Sequence, residues 1–177
     1  MLIVRSQHLK PSEKKLLRRF CFYVMDHFCS RSVQAKAVIL IRFVNPKGLT
    51  KDEREDMIRY RAWMTYEGVK KGKDGKRRKH FTIDINSYEI TSRKNIKSLI
   101  RRLKNAMLCV GHELTHVKQY LLGEVFDYAN GDVRYKGKRY KDWEQGEEYF
   151  FSPWEIESYG HEIGLFKCFE MKLKEKL

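Results

Sequence analysis

The stretch that most restricts how this chain can fold is Met107 to Val117, Met-Leu-Cys-Val-Gly-His-Glu-Leu-Thr-His-Val. Upstream, Asn95 to Met107 reads as an amphipathic helix, with Ile96, Leu99, Ile100, Leu103, Ala106 and Met107 set against Lys97, Arg101, Arg102 and Lys104. From Met107 to Val110 the polar face disappears, and a helix apolar all round belongs in an interior. His112, Glu113 and His116 fall on that interior portion, where an unpartnered polar group is expensive. A metal ion resolves the cost. A spacing of four places both imidazoles on one helix face, where they can share a zinc ion, and the intervening Glu113 can reach a water at that ion as general base. Leu114, Val117, Tyr120 and Leu121 continue the apolar stripe to a stop at Gly123, giving a predicted helix of about 25 residues.

Two histidines need a third protein ligand, and the second motif lies at Ser152 to Glu162. Ser152 followed by Pro153 predicts a helix start, cap and then first-turn proline. Glu155, Glu157, His161 and Glu162 all ride on that helix. Glu157 and His161 are four apart and share a face. Glu155 points elsewhere, and a carboxylate that early in a helix suits the dipole or caps an amide. Glu157 and His161 are thus the competing donors.

His112-Glu113-Leu114-Thr115-His116, followed by a helix bearing Glu157, resembles the zincin metallopeptidases, in the branch whose third ligand is a glutamate on a following helix. The ligand glutamate in that branch is usually followed by a small residue, because the two helices pack closely. Glu157-Ser158 matches this and Glu155-Ile156 does not. The run from His112 to Gln119, with Pro153 to Ser158, is also similar to small phage and bacterial zincin-like proteins, and the likeness covers roughly residues 81 to 165. The chain departs from the shortest of them in the long separation of His116 and Glu157. What the resemblance implies is an α+β zincin-like fold, a small mixed or antiparallel sheet packed on the long helix and a C-terminal helix. It implies Zn2+ on His112, His116 and Glu157, Glu113 as base, and a protein or peptide substrate. Tyr159 and His161 are expected to supply a donor to the oxyanion. The strand just before the helix, Phe81 to Ile85, is expected to line the cleft and hold extended substrate by β-addition.

The rest of the chain reads as one domain, 1–177, with material for a core. A helix over 12–29 turns Leu16, Leu17, Phe20, Tyr23, Val24 and Phe28 inward. Ala35 to Val44 reads as a strand ended by Asn45-Pro46-Lys47-Gly48, and 52–56 as a polar connector. Ile58 to Tyr66 alternates as a strand, 68–79 is a glycine- and lysine-rich tip, and Phe81 to Ile85 returns, about three strands in all. Asn130-Gly131 marks a turn, and Val133 to Tyr140 around Gly137 a short hairpin. Ile156, Ile163, Leu165, Phe166 and Phe169 are expected to pack the closing helix home, with Lys172 to Lys176 fraying.

No run approaches the length of a membrane span, and Met1 to Val4 is too short for a signal segment. Cys21, Cys29, Cys109 and Cys168 form no Cys-x-x-Cys pair, so reduced thiols in a cytoplasmic protein are expected. Lys and Arg number 37 against 23 Asp and Glu, a net charge of +14 concentrated at Lys70 to Lys79 and Arg93 to Lys104. Such density suits sequence-independent contact with DNA or RNA phosphates, although no recognised nucleic-acid motif is present. A basic accessory protein with a structural or vestigial zinc site is therefore the alternative to a peptidase.

Overall fold

The structure, a computed structural model, describes residues 1–90, 98–141 and 147–175. Its main sheet contains β1 (Leu2–Arg5), β2 (Ala37–Val44), β3 (Ala62–Lys71) and β4 (Arg77–Asn86) in the order β1-β2-β4-β3. β1, β2 and β4 run parallel, and β3 returns antiparallel along β4. The helices are α1 (Pro11–Phe28), α2 (Arg31–Gln34), α3 (Lys51–Tyr60), α4 (Leu99–Arg102), α5 (Lys104–Leu121) and α6 (Pro153–Lys174). A small antiparallel meander, β5 (Val125–Asp127), β6 (Val133–Tyr135) and β7 (Lys138–Tyr140), lies between α5 and α6 in sequence. The expected α+β class with a mixed sheet is present.

Period two puts Ala37, Ile39, Ile41 and Phe43 of β2 in the core. They meet Leu17 and Phe20 of α1, Met107, Val110 and Leu114 of α5, and Leu165, Phe166 and Phe169 of α6. β4 is buried on both faces from Phe81 to Asn86, as a strand with neighbours on either side must be. On the less apolar face Arg42 closes a two-pronged pair with Asp84 at 2.6 and 2.5 Å.

Several expectations need correction. Leu2–Arg5 is a strand, which makes four in the sheet. The alternation read at Ile58 to Tyr66 begins inside a helix: α3 runs to Tyr60, Arg61 reverses the chain at φ +62°, and β3 starts at Ala62. The overlooked signal was a capping box, since Thr50 N–H donates to Glu53 at 3.0 Å and Glu53 N–H donates to Thr50 Oγ1 at 3.4 Å. The basic tip is shorter than expected, because β3 reaches Lys71 and β4 begins at Arg77. Of Arg93 to Lys104, residues 93–97 lie outside the described residues. Leu103, at φ −96° and ψ 4°, separates the short α4 from α5, so the long helix starts later than its pattern predicts.

On α6, Ile156 and Ile163 are 56% and 59% exposed and do not pack inward. Phe81 to Ile85 cannot take up a substrate strand, because β2 and β3 already occupy both of its edges. Among the described residues β3, like β1 on the other side, is an edge strand of the sheet. Among the described residues no helix is long and apolar enough to cross a membrane.

Candidate metal centre

α5 is buried on every side from Cys109 to Gln119. It ends as Gly123 predicts: Gly123 adopts φ +70°, Gly123 N–H bonds Tyr120 O at 3.3 Å and Glu124 N–H bonds Gln119 O at 2.8 Å, a Schellman pair of bonds. α6 starts at its cap, with Ser152 Oγ accepting from Glu155 N–H at 3.3 Å and Pro153 in the first turn. The two helices lie close. A Cβ on Gly111 would stand 3.8 Å from Glu162 Cα, and the fully buried Ser158 brings its Oγ within 3.4 Å of His116 Nδ1.

This packing brings Glu155 to the imidazole pair. Glu155 Oε2 is 3.1 Å from His112 Nε2, Glu155 Oε1 is 3.0 Å from His116 Nε2, and the two Nε2 atoms are 3.2 Å apart. Donors at zinc–ligand distances around one tetrahedral ion stand about 3.3 Å from each other. His112, His116 and Glu155 thus form a buried set able to hold a metal ion. Glu155 Oε1 and His112 Nδ1 are buried without a hydrogen bond of acceptable geometry, which a protein interior rarely tolerates. The donor set fits a zinc-type ion.

The charges agree with that reading. Burial alone would raise the Glu155 pKa, but the two imidazoles beside it, His112 by a hydrogen bond and His116 by its charge, hold it far below the carboxylate range. Burial alone would lower His112, and its hydrogen bond to Glu155 together with the nearby Glu162 carboxylate outweighs this and pushes it up to about 10. His116 also moves up: burial would lower it, and the Glu155 and Glu113 carboxylates outweigh this. Opposite charge gathered this tightly is what a cation displacing protons would meet. Glu113, fully enclosed beside the pair, is raised mainly by burial, against the pull of both histidines and a backbone hydrogen bond from Met64.

Glu157 does not join the imidazoles. It accepts from Lys118 Nζ at 2.9 Å, Lys136 Nζ at 3.0 Å, Tyr135 Oη at 2.9 Å and Gln119 Nε2 at 2.8 Å. Burial would raise it, yet these four donors hold it at about 2. His161, the competing ligand, stacks edge-on against Phe28 at 5.1 Å and does not line the cleft. Tyr159 does line it, with its ring 4.5 Å from that of His112, and its hydroxyl is pushed up to about 12, chiefly by burial. Tyr149, absent from the sequence expectations, lines the same cleft and hydrogen-bonds Glu155. It stands in a 3-10 turn, Glu147–Phe151, whose sequence carries no periodicity to announce it.

The cluster opens into a cleft of about 560 Å³ walled by Ala62, Trp63 and Met64 of β3, by Tyr149 and Tyr159, and by Val125 and Val133 of the meander. Asn86 N–H bonds Arg61 O, and antiparallel bonding alternates, so Ala62, Met64 and Tyr66 turn their backbone groups away from β4, to the outer edge of the sheet. Met64 meets Glu113 there.

No protein-family model, curated protein or solved structure matches the chain.

Proposed function

We propose that this protein is a zincin-like metallopeptidase that hydrolyses peptide bonds with a Zn2+ ion on His112, His116 and Glu155. The observation that carries the reading is the buried cluster of two imidazoles and one carboxylate, placed beside Glu113 at the head of a cleft walled by β3, an edge strand among the described residues. An ion held there supplies Lewis acidity toward water and toward a carbonyl oxygen. Glu113 takes the proton that water gives up as its oxygen bonds the carbonyl carbon, and returns it to the amine nitrogen as the C–N bond breaks. Its burial raises its affinity for a proton, which suits a group that must carry one between two steps. Tyr149 and Tyr159 keep their protons at neutral pH and serve as donors to the developing oxyanion. The open edge of β3 receives the substrate as an added strand, with main-chain bonds at Ala62 and Tyr66 giving register.

The test is Glu113→Gln, which keeps the shape of the side chain and removes its basicity. Cleavage of casein is expected to fall about 10²- to 10⁴-fold with bound zinc unchanged by elemental analysis. Wild-type cleavage should vanish with a chelator and return with zinc. Undiminished cleavage by the variant overturns the role of Glu113, and cleavage indifferent to chelation overturns the metallopeptidase reading.

A further inference from the structure

Outside the cluster, Glu157 gathers four side-chain donors, and one of these connections runs toward the cluster. Gln119 is fully buried, and its Nε2 has two acceptors, Glu157 Oε2 at 2.8 Å and Trp154 O at 3.0 Å. Those acceptors fix which way the amide faces. Its Oε1 must then be the atom 2.9 Å from His116 Nδ1, and an amide oxygen can only accept. His116 therefore carries a proton on Nδ1, and Nε2, which faces His112 and Glu155, is the nitrogen left to meet an ion. His112 has no such partner, since its Nδ1 is 3.7 Å from Glu162 Oε2 and lacks a hydrogen bond. One of the two imidazoles is held in place by a second residue and the other is not.

We propose that Glu157 and Gln119 form a positioning relay for His116, in which Glu157 orients the Gln119 amide and Gln119 fixes the tautomer and ring of the ligand. The far end of the relay is anchored outside α5 and α6. Tyr135 and Lys136 of the β6–β7 turn reach Glu157 at 2.9 and 3.0 Å, and Lys118 ties the same carboxylate to Glu124, just ahead of β5. The turn that delivers Lys136 is tightly specified, with Lys136 and Gly137 at φ +46° and +87°, the pattern of a type I′ turn. The meander that walls the cleft is thereby joined to a metal-binding imidazole through three side chains.

The inference rests on the metal reading above, and its test separates the two. Zinc and cobalt affinities are measured by chelator competition for wild type, Gln119→Leu, Glu157→Ala and Glu157→Gln, with folding followed by circular dichroism and the cobalt protein by its visible absorption. Gln119→Leu and Glu157→Ala are expected to weaken both ions 10- to 100-fold and to shift the cobalt bands. Glu157→Gln keeps an oxygen acceptor for the Gln119 amide and should recover most of the loss. A purely structural role lowers the unfolding temperature and leaves the affinity and spectrum of the folded variants unchanged, which overturns the relay. If Gln119→Leu does not fold, Glu157→Ala alone decides, since its side chain borders solvent. A wild-type protein that binds neither ion overturns the metal reading and the relay together, whereas tight wild-type binding with unaffected variants overturns the relay alone.

Discussion

Cys21 shows how a single residue couples this fold to pH. Its thiol is fully buried on α1, and burial holds its pKa far above the ordinary range. The folded state therefore binds this proton more tightly than the unfolded chain does. That stabilisation is complete below the unfolded pKa, near 8.5, and is lost as pH climbs toward the folded value. Between pH 9 and 10.5 the unfolding free energy should fall more steeply in wild type than in Cys21→Ala, by about 1.4 kcal/mol per pH unit. Parallel slopes in urea titrations would contradict this. At the same scale the cluster was partly legible. The burial of His112, Glu113 and His116 follows from the apolar run around them, whereas the carboxylate that the fold brings to the imidazoles is Glu155 and not the expected Glu157. Ser158 does mark close helix packing, yet it stands one turn after Glu155 and so shares that residue's face. Adjacency in sequence had pointed to Glu157, and only the rotation of α6 about its axis separates the two.

Helix ends could be read from the chain, because capping chemistry is local: Ser152-Pro153 opens α6 and Gly123 closes α5. Strand boundaries and neighbours were harder. The order β1-β2-β4-β3 depends on pairings far apart in sequence, and no local pattern says that β4 lies inside and β3 at the edge. Contacts between helices carry their own expectations. Gly164 is exposed within α6, with open space where a Cβ would stand. Gly164→Ala should add up to about 1 kcal/mol and raise the melting temperature by about 2 to 4 °C. Gly111 faces Phe20 and the backbone of Glu162, at 3.6 and 3.8 Å from an ideal Cβ. Gly111→Leu must push α5 away from α1 and α6 and cost about 1 to 3 kcal/mol. A Leu variant that melts with wild type would show that the helices yield there freely.

Across the whole molecule, the proposed ion would act as a staple. It would join α5 to α6 through three buried side chains, and an unfolded chain does not preserve that arrangement. Zinc at about a thousand times its dissociation constant should stabilise the fold by about 4 kcal/mol, and a chelator should remove that gain. Calorimetry that finds the same melting temperature with and without chelator would show that the folded chain holds no ion. The open edge of β3 has a further consequence. Its ladder with β4 slips between Tyr66 and Val69, and beyond the slip come Lys70 and Lys71. A kinked, cationic margin repels a second strand of the same kind. Among the described residues of β3, the regular stretch from Ala62 to Tyr66 is the part beside the imidazoles, so the proposed substrate strand would zip on for a few residues there, while the shifted, lysine-bearing end works against a second copy of this protein extending the sheet along the same rim.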